Sequence, residues 1–165
     1  MGVEVIGTHG ELFLTLESTA KKAVVRQMVD AGAKIQDLAV KMAPRDHGLL
    51  EEAIKMVPDR DIQQPRSATG QFGSYGKVEV AVYVDTDMPV PDRPGKTVGD
   101  YAYEVNEHMY PVGFMMPGPE SQAKQSGQPE LVGGAFLERA AEQVMEKEMD
   151  EMLMVALGEI MQSLS

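Results

Sequence analysis

Between residues 24 and 42 apolar side chains recur at steps of four and three: Val24, Met28, Ala31, Ile35, Leu38 and Met42. That spacing stacks them on one helix face, while Lys22, Arg26, Asp30, Lys34, Asp37 and Lys41 fall on the other. The pattern predicts an amphipathic helix over residues 12–42 with its apolar stripe on a core. It stops at "KMAPRDHGLL", where Pro44 cannot continue a helix and Gly48 supplies the positive φ that a reversal needs. Residues 52–57 then read as strand-like, and the polar run "DRDIQQPRSATGQFGSYG" that follows has no period and reads as a loop.

The clearest strand is "KVEVAVYVD". Val78, Val80, Val82 and Val84 alternate with Glu79, Ala81, Tyr83 and Asp85, which predicts a half-buried strand with its valines inward. Two proline-rich segments, 86–100 and 110–134, read as loops, with "YAYEVNEH" between them as a short strand. From Ala135 onward Phe136, Leu137, Ala140, Val144, Met149, Met152, Ala156 and Ile160 are spaced for a second long helix whose apolar face drifts. The order predicts a single α+β domain over residues 1–165. In it a long N-terminal helix and a C-terminal helix pack on a small antiparallel sheet, with flexible loops near 59–76, 86–100 and 110–134.

Composition narrows the function classes. With no cysteine, disulfides, zinc–thiolate sites and thiol catalysis are excluded. A formal net charge of −11 argues against a general nucleic-acid binder. No apolar run is long enough to cross a membrane, and the N-terminus does not read as a signal peptide, so the expectation is a soluble chain made in a cytoplasm.

Asp46 beside His47 invites a catalytic or metal-site reading, but Pro44, Asp46, His47 and Gly48 are also ordinary turn residues. His9 and His108 sit in other segments without metal-ligand spacing, and no nucleophile accompanies the pair. The glycines of "ATGQFGSYG" lack the strand-to-helix context of a phosphate-binding loop, and there is no G-x-S-x-G elbow. The carboxylates at 59–61 and 85–87 lack a third ligand at fixed spacing. The expectation is no catalytic residue, no metal and no cofactor, with Gly48 needed for the turn and His47→Thr nearly silent.

The same stretch resembles the siphophage "gene product ten" tail-component family. Its pattern is a long helix ending in A-K-x-x-A-P-x-x-T-G-x-L and then a short strand; Ala39, Lys41 (one place off), Ala43, Pro44, Asp46, Gly48, Leu50, Ala53 and Ile54 match it here. A later Y-A-x-x-V-E-x-G element is matched in part by Tyr101, Ala102 and Val105, and a P-F-L-x-x-A element by Phe136, Leu137 and Ala140. His47 replaces the usual threonine, Asn106 a common glutamate, and Ala135 the proline before Phe136. The resemblance spans residues 12–144. It implies a non-enzymatic virion protein of the neck or tail-completion kind at the head–tail junction, present in the host cytoplasm during assembly. The implied partners are other copies of the chain in a ring and neighbouring neck, connector or tail-tube proteins, with no sequence-specific nucleic-acid binding and no membrane. An alternative of a different class is a small non-catalytic binding or toxin-like module carried on a mobile element.

Two further features bear on assembly. Five of the 13 methionines, Met145, Met149, Met152, Met154 and Met161, lie late in the second helix and spread around more of it than one core stripe requires, which marks them as a candidate assembly surface. Residues 12–44 carry five basic and three acidic groups, residues 138–159 two basic and seven acidic. Helices of opposite sign can pair within one chain or between copies.

Overall fold

The computed structural model describes residues 9–45, 47–57, 80–91 and 93–163. Helix α1 spans His9–Met42 and runs about 50 Å at 1.5 Å per residue. Its charged positions from Lys22 to Lys41 are all exposed, as the helical period predicts. Ala31 and Met42 are buried, Met28, Ile35 and Leu38 half-buried, and Val24 lies outside the stripe. Small residues fill out the buried side, with Ala23, Gly32, Ala39 and Ala43 joining Ala31. Small side chains let neighbouring backbones approach closely, and α1 has neighbours on two sides.

On one side lies a two-stranded antiparallel sheet of β1 (Ile54–Val57) and β2 (Ala81–Val84). Ile54 stands opposite Val84 and Met56 opposite Val82. Period-two alternation puts these four side chains on one face, where Ile54, Val82 and Val84 join the core. The other face carries Lys55 and Tyr83, both exposed. Gly32 of α1 faces Val80 and Met56, and Gln36 Nε2 donates to Ile54 O at 2.9 Å, so the helix rests directly on the strands. The valine alternation holds at Val80, Val82 and Val84; Val78, Glu79 and the stretch 59–76 lie outside the described residues.

On its other side α1 packs along α5 (Phe136–Ser163). Lys34 pairs with Glu148, and Arg26 Nη1 meets Glu159 Oε1 at 3.1 Å. Later residues of one helix meet earlier residues of the other, so the two run antiparallel. The opposite charges of the helices therefore pair within one chain. Both cations are largely exposed, so the pairs set register more than they add stability.

Three segments differ from the sequence expectation. Residues 49–53 form a five-residue helix, α2 (Leu49–Ala53), before the chain extends into β1. "YAYEVNEH" is not a strand but belongs to helix α3 (Gly99–His108). Val98, Ala102 and Met109 are buried and Val105 half-buried, a spacing of four, three and four that presents one helical stripe. That tertiary stripe outweighs the strand preference of Tyr101, Tyr103 and Val105. Within 110–134, the expected loop contains helix α4 (Pro119–Ser126). Segment 86–100 is a loop up to Val98, closed by a bridge between Pro89 and Thr97 and by Val90 N–H donating to Lys96 O at 2.9 Å. Among the described residues no helix is long and apolar enough to cross a membrane.

Candidate functional site

The densest polar chemistry surrounds the point where α1 ends. The last carbonyls of a helix have no partner within it and must find one elsewhere. Here Lys124 Nζ of α4 donates to Val40 O at 2.6 Å and to Ala43 O at 2.7 Å. Gln128 Nε2 donates to Lys41 O at 2.6 Å, and Gly133 N–H to Met42 O at 2.9 Å. Four successive carbonyls are thus claimed by one later segment, which acts as a clamp. A cation at a helix C-terminus also meets the negative end of the helix dipole.

The clamp extends into the turn. Ser121 is buried; its Oγ accepts from Arg45 N–H at 2.9 Å and donates to Arg45 O at 3.1 Å. Glu120 accepts from His47 N–H at 3.1 Å. Gly48 has φ +78° and its carbonyl accepts Glu52 N–H, opening α2. The turn thus depends on Gly48 as expected, while Asp46 lies outside the described residues.

Glu51 gathers the charges at this site. It accepts from Arg45 Nε at 3.1 Å and pairs with Lys124 at 2.5 Å, both acidic and ammonium groups being nearly buried. Burial pushes the Lys124 pKa below the ordinary lysine value, and the hydrogen bond to Glu51 pulls it the other way. All three ammonium protons go to protein oxygens, two carbonyls and one carboxylate, so this lysine is spent on structure. A second cation does similar work: Arg139 donates to the carbonyls of Leu131, Gly133 and Gly134, and burial pushes its pKa down.

The resemblance-bearing residues meet at this place. Ala43, Leu50, Ala102, Phe136 and Ala140 belong to one buried cluster, with Tyr101 and Leu137 packed against it. Pro44 is buried beside them. Two departures from the pattern coincide with left-handed backbone: His47 has φ +56° and Ala135 φ +49°. Proline cannot take that angle, and a β-branched threonine takes it poorly. His47→Thr, expected from sequence to be silent, is therefore strained here. This chain builds both turns differently from the pattern it resembles.

The other candidates do not converge. His47 Nδ1 stands 3.8 Å from Glu120 Oε1 at the exposed rim, and His108 pairs with Glu104 at 3.0 Å on α3. For His9 only the backbone, the first residue of α1, is described. Asp85 Oδ1 accepts Asp87 N–H at 3.2 Å within a turn, and the carboxylates at 59–61 lie outside the described residues. Among the described residues no group of three His, Asp or Glu is placed to hold a metal ion.

The methionines of α5 divide. Met152 is buried and Met149 half-buried, which removes them from the expected assembly surface. Met145, Met154 and Met161 are exposed, and Leu153, Val155 and Leu157, which the methionine count passed over, are exposed with them. Beside the clamp, a groove of about 1010 Å³ opens between α2, the 90–97 loop, α3 and the 109–121 segment. Its apolar lining includes Leu49, Val105, Met109, Met115 and Met116. No protein family, no curated protein and no solved structure matches this chain.

Proposed function

We propose that this chain is a structural subunit of a tailed-phage head–tail junction, a neck or tail-completion protein that works by assembly and not by catalysis. It would form a ring with other copies and contact neighbouring neck, connector or tail-tube proteins in the virion, after assembly in the host cytoplasm. The supporting observation is that three sequence elements carrying the resemblance, more than thirty residues apart along the chain, supply side chains to a single core cluster. The polar groups beside that cluster support the non-catalytic side of the reading, since Lys124 and Arg139 bond protein carbonyls and Glu51 bonds Lys124 and Arg45.

Sequencing the genes on either side of its own tests the proposal. Capsid, connector and tail-tube genes are expected there. A mobile-element locus without virion genes overturns the phage reading in favour of a small binding module.

A further inference from the structure

Among the described residues two apolar surfaces stay uncovered, and they lie at opposite ends of the α1–α5 pairing. The first is the groove, which borders the end of α1 at Pro44 and Arg45. The second is the outer face of α5, where Leu153, Met154, Leu157 and Met161 are all more than half exposed. At 100° per residue these four fall within about 100° of arc, a continuous stripe. Met152 and Ala156 are buried on the other side of the same turns, so the stripe is held by an anchored helix. Because α5 runs antiparallel to α1, with Glu159 against Arg26, this stripe sits beside the middle of α1, about 25 Å from the groove by helical rise. A chain cannot place its own stripe in its own groove.

Charge distinguishes the two surfaces. The charged lining of the groove is Arg45, Arg93 and Lys96 against Asp100 and Glu120, three cations to two carboxylates on a chain of net charge −11. The stripe is accompanied by Glu146, Asp150 and Glu151 against a single cation, Lys147, all exposed. Methionine lines both surfaces, Met115 and Met116 in the groove and Met154 and Met161 on the helix, and its flexible side chain suits a contact that adapts as it forms.

We infer that the groove of one copy receives the exposed face of the C-terminal third of α5 from a second copy. This inference rests on the assembly reading for its choice of occupant, and it names the two surfaces that meet. The contact is heterologous: each copy offers a groove at one end and a helix at the other, so copies add head to tail and either close a ring or extend.

The test uses two variants of the full chain, Met116→Glu in the groove and Leu157→Glu on the stripe, with mass followed by light scattering over a wide concentration range. Both positions are exposed, so circular dichroism is expected to match the wild type. Lys96→Glu and Met154→Glu repeat the test if either first variant misfolds. The wild type is expected to gain mass with concentration and each variant alone to remain a monomer. Mixing the two variants is expected to give a dimer that grows no further, because only one intact groove and one intact helix are present in each pair. A wild type that stays monomeric throughout assigns the groove to another occupant and overturns the inference. So does a mixture that stays monomeric. Assembly that survives both substitutions removes this contact alone and leaves the phage reading to its own test at the locus.

Discussion

The two ends of the α1–α5 pair are built on opposite principles. At the closed end, where α1 stops and α5 starts, small and apolar side chains are sealed under a clamp that satisfies four successive helix carbonyls. At the open end Ala23, Met152 and Ala156 are buried, the exposed Arg26–Glu159 pair joins the two helices, and α5 turns a row of large apolar side chains to the outside. The closed end spends its polar groups on itself, which suits a fixed scaffold. The open end leaves surface unspent, which suits a contact with something else. Substitutions at the closed end should therefore cost stability, and substitutions at the open end should cost only association.

The sharpest way to break this contrast is Ala135→Pro, which installs the residue common in the resembling pattern. It forces φ from +49° toward about −65° and deletes the N–H that donates to Asn106 O at 2.9 Å. A loss of about 3 kcal/mol or more in urea unfolding is expected, with Ala135→Gly neutral or better. A tolerated proline would mean that this turn is not left-handed and that the closed end is built as in the pattern.

Lys124→Met comes next. It keeps the length of the side chain but removes the cation from Val40 O, Ala43 O and Glu51. Breaking one side of a buried, hydrogen-bonded pair is expected to cost about 2–4 kcal/mol, read as a shifted urea midpoint with an unchanged slope. An unchanged midpoint would reduce the clamp to decoration.

His47→Thr is expected to cost about 1 kcal/mol through its left-handed backbone, and His47→Gly to cost nothing measurable. Equal stability of the threonine variant and the wild type would show that the turn relaxes freely. The smallest effects belong to the exposed ion pairs that run from the middle of the two helices to the open end. Lys34→Ala and Arg26→Ala should leave the thermal midpoint where it is, since both cations are solvated. A marked drop would mean that the open end is held as tightly as the closed one.

The sequence made the scaffold legible and hid the clamp, for identifiable reasons. Helix α1 and the valine strand carry clear periods, because the described part of each buries one face; the period of α5 is blurred because its outer side is apolar too. Helix α3 was hidden by composition: tyrosine and valine suggest a strand, while the register of Val98, Ala102, Val105 and Met109 states a helix to anyone who counts across the Gly99 boundary. Helix α4 has almost no apolar residue to give it a period. Its signal lay in punctuation, with Pro119 at the first position and Gly127 at the C-cap, an asymmetry that marks helix ends. The role of Lys124 was not legible at all, because its partners are backbone carbonyls brought to it by the fold. Among the late methionines, spacing alone separated Met152 from Met154 only once the position of α1 was known.

The clamp also sets a schedule. Val40, Lys41 and Ala43 receive their partners from residues 84, 87 and 81 positions later in the chain. At synthesis rates of about 5–20 residues per second, α1 waits on the order of ten seconds on the ribosome before its end can close. Its apolar flank waits longer, since Lys34 and Glu148 are 114 residues apart. A fold tied together by such distant partners should refold in milliseconds to seconds, unlike helical hairpins of local contacts, which take microseconds to milliseconds. Stopped-flow circular dichroism measures that interval, and a microsecond phase carrying the full amplitude would show that α1 and α5 pair without waiting for the clamp.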